Sequence, residues 1–190
     1  FAVTDKEKGA NGGVTCFLVD RERGWTSAEI PTMGQWGPAS LSFQDVRVPS
    51  TAVLGEVGKG FYHIMWELQG ERLIGAAGSV AGAQRVFDKT LEYARERNAF
   101  GRPIGRFQAI RHKFAEMSVK IEVSRALTYA CLRKFAAGED ATREVTQAKL
   151  FTQRALCEVA DEAIQIHGGY GYMREYGVER AYRDARLGPI

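Results

Sequence analysis

Apolar and polar residues alternate through the first part of the chain with the two-residue period of β-strands. Residues 14–19, Val-Thr-Cys-Phe-Leu-Val, predict a buried strand, and residues 41–46, Leu-Ser-Phe-Gln-Asp-Val, predict a strand with one apolar face. Turn-forming residues lie between these strands or beside them: Gly12, Gly13, Pro31, Gly34, Gly37 and Pro38. Residues 1–59 therefore predict part of a β-sheet that is too small to close a core of its own.

From residue 60 onward the apolar positions recur every three or four residues, as they do in helices. Long helices are predicted at about 61–97, 107–137 and 141–166, with a shorter one at 178–186. Gly138 is a natural stop for the second helix. The inward-facing positions of the second and third helices are Ile110, Phe114, Met117, Ile121, Val145, Ala148, Leu156, Val159 and Ala163. Because the connections are short, we expect an antiparallel four-helix bundle and a mostly α-helical fold preceded by the partial sheet.

Composition and charge argue against a nucleic-acid partner and against a membrane span. Of the 190 residues, 45% are hydrophobic and 26% are charged, and the formal net charge is only +3. Basic residues are interleaved with acidic ones rather than gathered in a stripe, so we expect no nucleic-acid partner. No apolar run approaches the ~20 residues that cross a bilayer, so no membrane span is predicted. The chain does not begin with Met, which leaves a targeting segment before Phe1 open.

Cysteine and histidine usage favours neither a disulfide framework nor a metal site. Cys16, Cys131 and Cys157 are far apart and form no CxxC pair, and the 3 histidines are not paired. We therefore predict no bound metal and an intracellular, reducing compartment.

A cation followed by a glycine-bounded turn marks the end of the first long helix, in Ala94-Arg95-Glu96-Arg97-Asn98-Ala99-Phe100-Gly101-Arg102-Pro103-Ile104. Arg97 lies at that helix end, and the next helix begins nearby at Phe107. A fixed guanidinium together with N–H groups at a helix start suits a pyrophosphate. The same residues allow a plainer interpretation, in which Arg97 offsets the helix dipole in a solvated cap.

Two adjacent glycines follow the third long helix, in Gln165-Ile166-His167-Gly168-Gly169-Tyr170-Gly171-Tyr172. Glycines let a ligand approach the main chain closely, and the glutamine adds a side-chain amide. The alternative is a Gly-Gly cap without a ligand, in which His167 packs or caps and the tyrosines cover the end of the bundle.

These two stretches and Trp66-Glu67-Leu68-Gln69-Gly70-Glu71-Arg72-Leu73 resemble the acyl-CoA dehydrogenase family in their order and spacing. Residues 43–49 and 54–61 resemble the end of that family's middle sheet domain. The resemblance therefore divides the chain into a remnant of the middle β-domain, residues 1–59, and the C-terminal helical bundle domain, residues 60–190. Residues 32–39 depart from the family pattern, because they lack its usual arginine and Ser/Thr spacing.

The resemblance implies an FAD enzyme of fatty acid metabolism that desaturates an acyl-CoA thioester. The residues implied to contact FAD are Arg97, Phe100, Gln108, Gln165, His167, Gly168 and Gly169. The last four would reach the FAD of a neighbouring subunit, which implies a dimer or tetramer. Electrons would pass to an electron-transfer flavoprotein, in the bacterial cytoplasm or the mitochondrial matrix. An acyl-CoA oxidase, a flavin monooxygenase and a non-catalytic interaction module stay open as alternatives.

Glu71 is the candidate catalytic base. Removing a proton α to a thioester carbonyl needs a carboxylate held in a dry pocket. In most of the family the base lies on a segment that would follow Ile190, but a subset carries it on the long helix as a Glu before an arginine, which Glu71-Arg72 matches. Both positions stay open, as does a surface role for Glu71. Arg72 is expected to bind substrate by supporting the geometry of the site, and the 190 residues alone are expected to be inactive.

Overall fold

The computed structural model describes residues 1–34 and 37–190. Gln35 and Trp36, which belong to the divergent 32–39 stretch, lie outside the described residues. The chain forms two compact units; the main division falls between Gly70 and Glu71, and Met33 and Gly34 are grouped with the second unit. Within the described part, no helix is both long and apolar enough to cross a membrane.

The first unit contains short antiparallel strands: β1 (Ala2–Val3), β2 (Val14–Phe17), β3 (Thr26–Glu29), β4 (Ala39–Ser42) and β5 (Val53–Leu54). β2 lies between β1 and β5, and a helical turn, α1 (Gly9–Gly13), leads into it. Thr15 of β2 is buried, and its hydroxyl oxygen lies 2.8 Å from that of Thr4 and accepts from the N–H of Gly58 at 2.9 Å. The predicted strand at 14–19 is thus confirmed over its first four residues.

The second predicted strand is displaced along the chain. β4 pairs with β3 from Glu29↔Ala39 to Thr26↔Ser42. The prediction of a strand through residue 46 is wrong beyond Ser42, because β3 offers no partner past Thr26. Asp45 has a φ of 49°, which no extended strand contains. The alternation of apolar and polar residues therefore continues beyond Ser42, where no strand is available for pairing and no β-strand forms.

Four further helices follow: α2 (Gly60–Glu96), α3 (Gln108–Ala136), α4 (Thr142–His167) and α5 (Val178–Ala185). Their bounds agree with the predicted helices to within one residue at each end. Gly138 follows the end of α3 and has a φ of 74°. This left-handed backbone conformation is the one expected of a glycine that terminates a helix. The mostly α-helical fold with small antiparallel sheets near the amino terminus is therefore confirmed.

Two clusters of buried apolar side chains hold the helices of the second unit together. The larger joins α2, α3, α4 and α5 through Ala83, Ala94, Phe114, Met117, Ile121, Val159, Ala163, Ile166 and Val178. The smaller joins α2, α3 and α4 through Leu73, Ala76, Cys131, Ala141, Val145 and Ala148. The predicted inward-facing residues lie in these clusters, with Ile110 and Leu156 half-buried at the edge of the larger one.

Two glycines of α2 lie beside side chains of α4. A Cβ on Gly82 would lie 3.5 Å from Cδ1 of Leu156, and one on Gly75 would lie 3.1 Å from Nε2 of Gln153. Several buried positions of α4 are alanines, and Ala160 and Ala163 have no exposed surface. At Gly82 an added Cβ would make an ordinary van der Waals contact, and at Gly75 it would press on the flexible end of Gln153.

We expect Ile121→Ala to lower the free energy of unfolding by about 2–5 kcal/mol, since it leaves a cavity beside a side chain that is only 2% exposed. Val119→Ala on the same helix is the matched control, because Val119 is 60% exposed and its loss should cost under about 0.5 kcal/mol. Urea unfolding of the two variants measures the difference. Equal costs would contradict the assignment of the α3 core face.

Candidate functional site

A tight hairpin follows α2 directly. β6 (Asn98–Ala99) pairs with β7 (Arg102–Pro103), and the two residues between them both have positive φ, 51° for Phe100 and 79° for Gly101. This is the pattern of a two-residue hairpin turn, which favours Asn-Gly. A bulky side chain at positive φ is strained by about 1–3 kcal/mol. Phe100 is nevertheless 94% exposed, so no buried contact of its own offsets the strain.

Arg97 connects α2 to this hairpin. Its N–H donates to the carbonyl of Tyr93 at 2.8 Å, and its carbonyl accepts from the N–H of Ile104 at 2.8 Å. Its guanidinium carbon lies 5.0 Å from the ring centre of Tyr170. Among the described residues, no carboxylate lies within ion-pair distance of Arg97. Arg97 thus presents a positive charge that the described chain leaves uncompensated.

The end of α4 reverses the chain through Gly168. Its φ of 60° and ψ of −136° are open to glycine and strained for other residues. Its N–H donates to the carbonyls of Gln165 and Ile164, which closes the helix. A Cβ placed on Gly169 would meet nothing within 4 Å among the described residues, so a ligand can approach the backbone there. Both glycines are exposed.

His167 is buried beneath this turn. Only 4% of the residue is exposed, and Nδ1 lies 2.8 Å from the carbonyl oxygen of Ala163. Because a carbonyl can only accept, Nδ1 carries the proton. The imidazole stacks on the ring of Tyr93, with centroids 4.1 Å apart and planes inclined by 19°. Burial lowers the pKa of His167, opposed by the bond to Ala163, and the Lys89 charge lowers it further.

These elements enclose a cleft of about 530 Å³, lined by Tyr93, Arg97, Ile104, His167, Gly168 and Gly169 among others. It brings together four of the predicted cofactor residues, Arg97, His167, Gly168 and Gly169. The other three lie outside the lining: Phe100 at the hairpin tip, and Gln108 and Gln165 exposed at the start of α3 and near the end of α4.

The cleft fits a phosphate-bearing ligand by charge. The carbonyl end of α4 disfavours an anion, so the uncompensated guanidinium of Arg97 must supply the attraction. Open backbone at Gly169 and the apolar side chain of Ile104 leave room for a ligand that is anionic in one part only. Such a cleft suits a nucleotide better than a free inorganic anion.

Comparison with known proteins decides the family. Residues 58–190 match the model of the acyl-CoA dehydrogenase C-terminal domain. The chain belongs to the acyl-CoA dehydrogenase family. It is 39% identical over 191 residues to 3-(aryl)acrylate reductase of Clostridium sporogenes, an alignment that covers 98% of this chain and 50% of the relative. It is 37% identical over 195 residues to the mitochondrial long-chain specific acyl-CoA dehydrogenase of Sus scrofa, covering 100% of this chain and 45% of that one.

The fold of this acyl-CoA dehydrogenase segment matches solved structures of the family. Butyryl-CoA dehydrogenase from Megasphaera elsdenii superposes with a TM-score of 0.93 at 39% sequence identity, covering 100% of this chain and 50% of that one. The chain thus spans about half the length of the curated relatives it matches.

Glu71 and Arg72 lie far from the Arg97 cleft. At ~1.5 Å per residue, the part of α2 from Glu71 to Glu96 is about 38 Å long. Glu71 is exposed and forms no ion pair among the described residues, whereas Arg72 is half-buried. One turn further along, Ile74 is 74% exposed. Glu71 therefore lies on an open, partly apolar helix face without the dry surroundings that a base requires.

Sequence reasoning missed the aromatic residues beneath the cleft. Tyr93 and Tyr176 contact His167, and Tyr170, which was interpreted only as a cover for the bundle end, lies against Arg97. One signal was available: Tyr93 precedes Arg97 by four residues, which places both on one helix face. The stack itself joins residues 74 positions apart, from 93 to 167, and no local pattern reports it.

We expect Phe100→Asn to raise the free energy of unfolding by about 0.5–1 kcal/mol, because asparagine tolerates positive φ and completes an Asn-Gly turn. Phe107→Leu is the control for loss of the contact between the two rings, because the Phe107 ring centre lies 6.2 Å from that of Phe100. Thermal unfolding measures both. If Phe100→Asn destabilised the chain, the strain assigned to Phe100 would be wrong.

Proposed function

We propose that the chain is part of an FAD-dependent acyl-CoA dehydrogenase that introduces an α,β double bond into an acyl-CoA thioester. The observation that carries this proposal is the Arg97 cleft, an uncompensated cation beside open glycine backbone, in a chain that belongs to this family. Residues 1–59 would be the end of the middle sheet domain, and residues 60–190 the C-terminal bundle.

Arg97, Gly168 and Gly169 of the cleft would hold the phosphates of FAD. Arg97 would donate to them, while Gly168 and Gly169 would allow close approach of the main chain. Phe100 would contact the cofactor from the hairpin tip, and its strained, exposed position supports that role. Gln108 and Gln165 would contribute side-chain amides from the flanking helix ends. When bound, FAD would supply the acceptor for the hydride that leaves the β-carbon.

Glu71 would take the proton from the α-carbon of the substrate. Loss of that proton together with the β-hydride leaves the electron pair of the new double bond, so the product would be a trans-2-enoyl-CoA. Arg72, half-buried beside it, would bind substrate and hold the geometry of the site. Because Glu71 is exposed here, the base role requires that another part of the enzyme cover it and exclude water.

The distance along α2 between Glu71 and the Arg97 cleft supports an oligomer. A flavin dinucleotide is shorter than the ~38 Å between Glu71 and the end of α2. One cofactor therefore cannot meet the base and the Arg97 cleft of the same chain. The cleft would instead serve the FAD of a neighbouring subunit, in a homodimer or homotetramer. Electrons would then pass to an electron-transfer flavoprotein, in the bacterial cytoplasm or the mitochondrial matrix.

The name of one relative favours the reverse reaction, in which the α,β double bond is reduced. The C. sporogenes protein is named a 3-(aryl)acrylate reductase, so its named reaction adds hydrogen to a double bond. The same residues would serve both directions: Glu71 would return the proton to the α-carbon, and reduced FAD would supply the hydride for the β-carbon. Incubating the full-length protein with saturated and with α,β-unsaturated thioesters would separate the two.

Glu71→Gln in the full-length protein should lower turnover of a saturated acyl-CoA by about 10²–10⁴-fold, because the amide cannot accept the α-proton. Flavin content should stay unchanged. Glu92→Gln, an exposed carboxylate further along α2, is the matched control. Unchanged turnover in Glu71→Gln would move the base elsewhere, for example to a residue following Ile190.

Arg97→Gln should weaken FAD binding by about 10–100-fold, since a charge-assisted hydrogen bond contributes about 1.5–3 kcal/mol. Arg143→Gln, an exposed arginine at the start of α4, should leave binding as it was. Flavin fluorescence on reconstitution of the full-length apoprotein measures both. Equal affinities in the two variants would remove the cleft from the proposed cofactor site.

A further inference from the structure

Five groups form a continuous stack that runs from the core to the rim of the cleft. The imidazole of His167 stacks on Tyr93, and Tyr176 meets both rings edge-on, at 5.9 Å from Tyr93 and 6.2 Å from His167. Tyr176 also lies against Tyr170, at 5.1 Å between centroids. Tyr170 in turn lies beneath the guanidinium of Arg97. The stack joins α2, the end of α4 and the 168–176 segment.

We propose that His167 is a positioning residue, which contacts no ligand but holds Arg97 and the Gly168–Gly169 backbone in place through this stack. The inference rests on the proposed function, and it replaces the expectation that His167 binds the cofactor directly. Three contacts fix His167: the Nδ1–H bond to the Ala163 carbonyl, the stacked ring of Tyr93, and a 3.4 Å bond from the Tyr93 hydroxyl to the His167 carbonyl.

The position of the carbonyl bond explains how the ring controls the turn. The carbonyl of His167 immediately precedes Gly168, where the chain leaves the helix. Tyr93 holds that residue twice, by its ring and by its hydroxyl. Since Tyr93 also accepts the Arg97 N–H on its carbonyl, one residue of α2 ties both sides of the cleft together.

The charges around His167 make the stack sensitive to acid. Tyr93 of α2 and Tyr176 of the 168–176 segment contact the imidazole, and its Nδ1 bonds the Ala163 carbonyl of its own helix. Lys89 of α2 donates to the Tyr176 carbonyl, and its charge disfavours protonation of the ring. A protonated imidazole would be buried near this cation without a carboxylate partner in the described residues. Neutral His167 is therefore the form that supports the cleft.

The sign of the pH dependence follows. The pKa of His167 is lower in the folded chain than its ordinary value of 6.5. Neutral His167 therefore contributes fully to the free energy of unfolding above that value. This contribution is lost as pH falls below about 6.5 toward the lower folded pKa. Protonation of His167 within the folded chain would disturb the stack that holds the cleft, so a positioning histidine predicts that FAD affinity falls in acid. A histidine that contacted the phosphates directly would gain attraction on protonation, and affinity would rise in acid.

The test is FAD affinity of the full-length protein between pH 5 and 8, in wild type, His167→Phe and His167→Leu. Phenylalanine keeps the stacked ring but cannot titrate, whereas leucine loses the ring as well. We expect wild-type affinity to fall in acid and both variants to show a flat profile. His167→Leu should bind on the order of tenfold more weakly than His167→Phe at pH 8. His112→Gln, an exposed histidine of α3, should keep the wild-type profile.

A second measurement uses the chain without cofactor. Thermal unfolding of the 190-residue chain should show an acid-side loss of stability in wild type that His167→Phe lacks. FAD affinity that rises in acid, or a wild-type acid limb that survives in His167→Phe, would overturn the proposal. If the full-length protein bound no FAD at any pH, the proposed function would fail. The inferred role would fail with it if the unfolding profiles of wild type and His167→Phe also coincided.

Discussion

The length of one uninterrupted helix is the constraint on which the candidate site depends. α2 carries Glu71 and, just past its last residue, Arg97. An α-helix has a fixed rise, so the backbone positions of these two residues stay about 38 Å apart. The bundle buries Ala76, Ala83 and Ala94 along this stretch of α2. The helix thus fixes the spacing between the proposed base and the Arg97 cleft.

The cleft end of α2 is built from contacts of very different sequence range. Tyr93 and Arg97 are neighbours on one helix turn, and Arg97 and Ile104 close a short hairpin. His167 arrives from the end of α4, after two helices and their connections. Because the local contacts place the cation and the distant contact places the backbone it faces, the cleft exists only when the bundle is folded. The geometry of the cleft and the stability of the bundle are therefore coupled.

Periodicity was sufficient for the helices, because each buries one face against the same core. It misled at residues 43–46, where alternation continues but β3 offers no partner strand. The glycines and the arginine of the cleft stood out from the sequence through their residue types. Tyr93 did not, because its partner lies far along the chain, and neither did the positive φ of Phe100, which contradicts its own side-chain preference. Roles of Glu71 and Arg72 depend on surroundings beyond this segment and stay predictions.

Alanine at the centre of the bundle has a consequence for sequence drift. Ala160 and Ala163 of α4 have no exposed surface, so a side chain larger than alanine finds no free space at either position. A larger residue would push α4 away from the helices packed against it. Since the rings of Tyr93 and His167 are 4.1 Å apart, even a small outward shift would separate them. Such a change would alter the shape of the cleft while leaving every side chain that lines it unchanged.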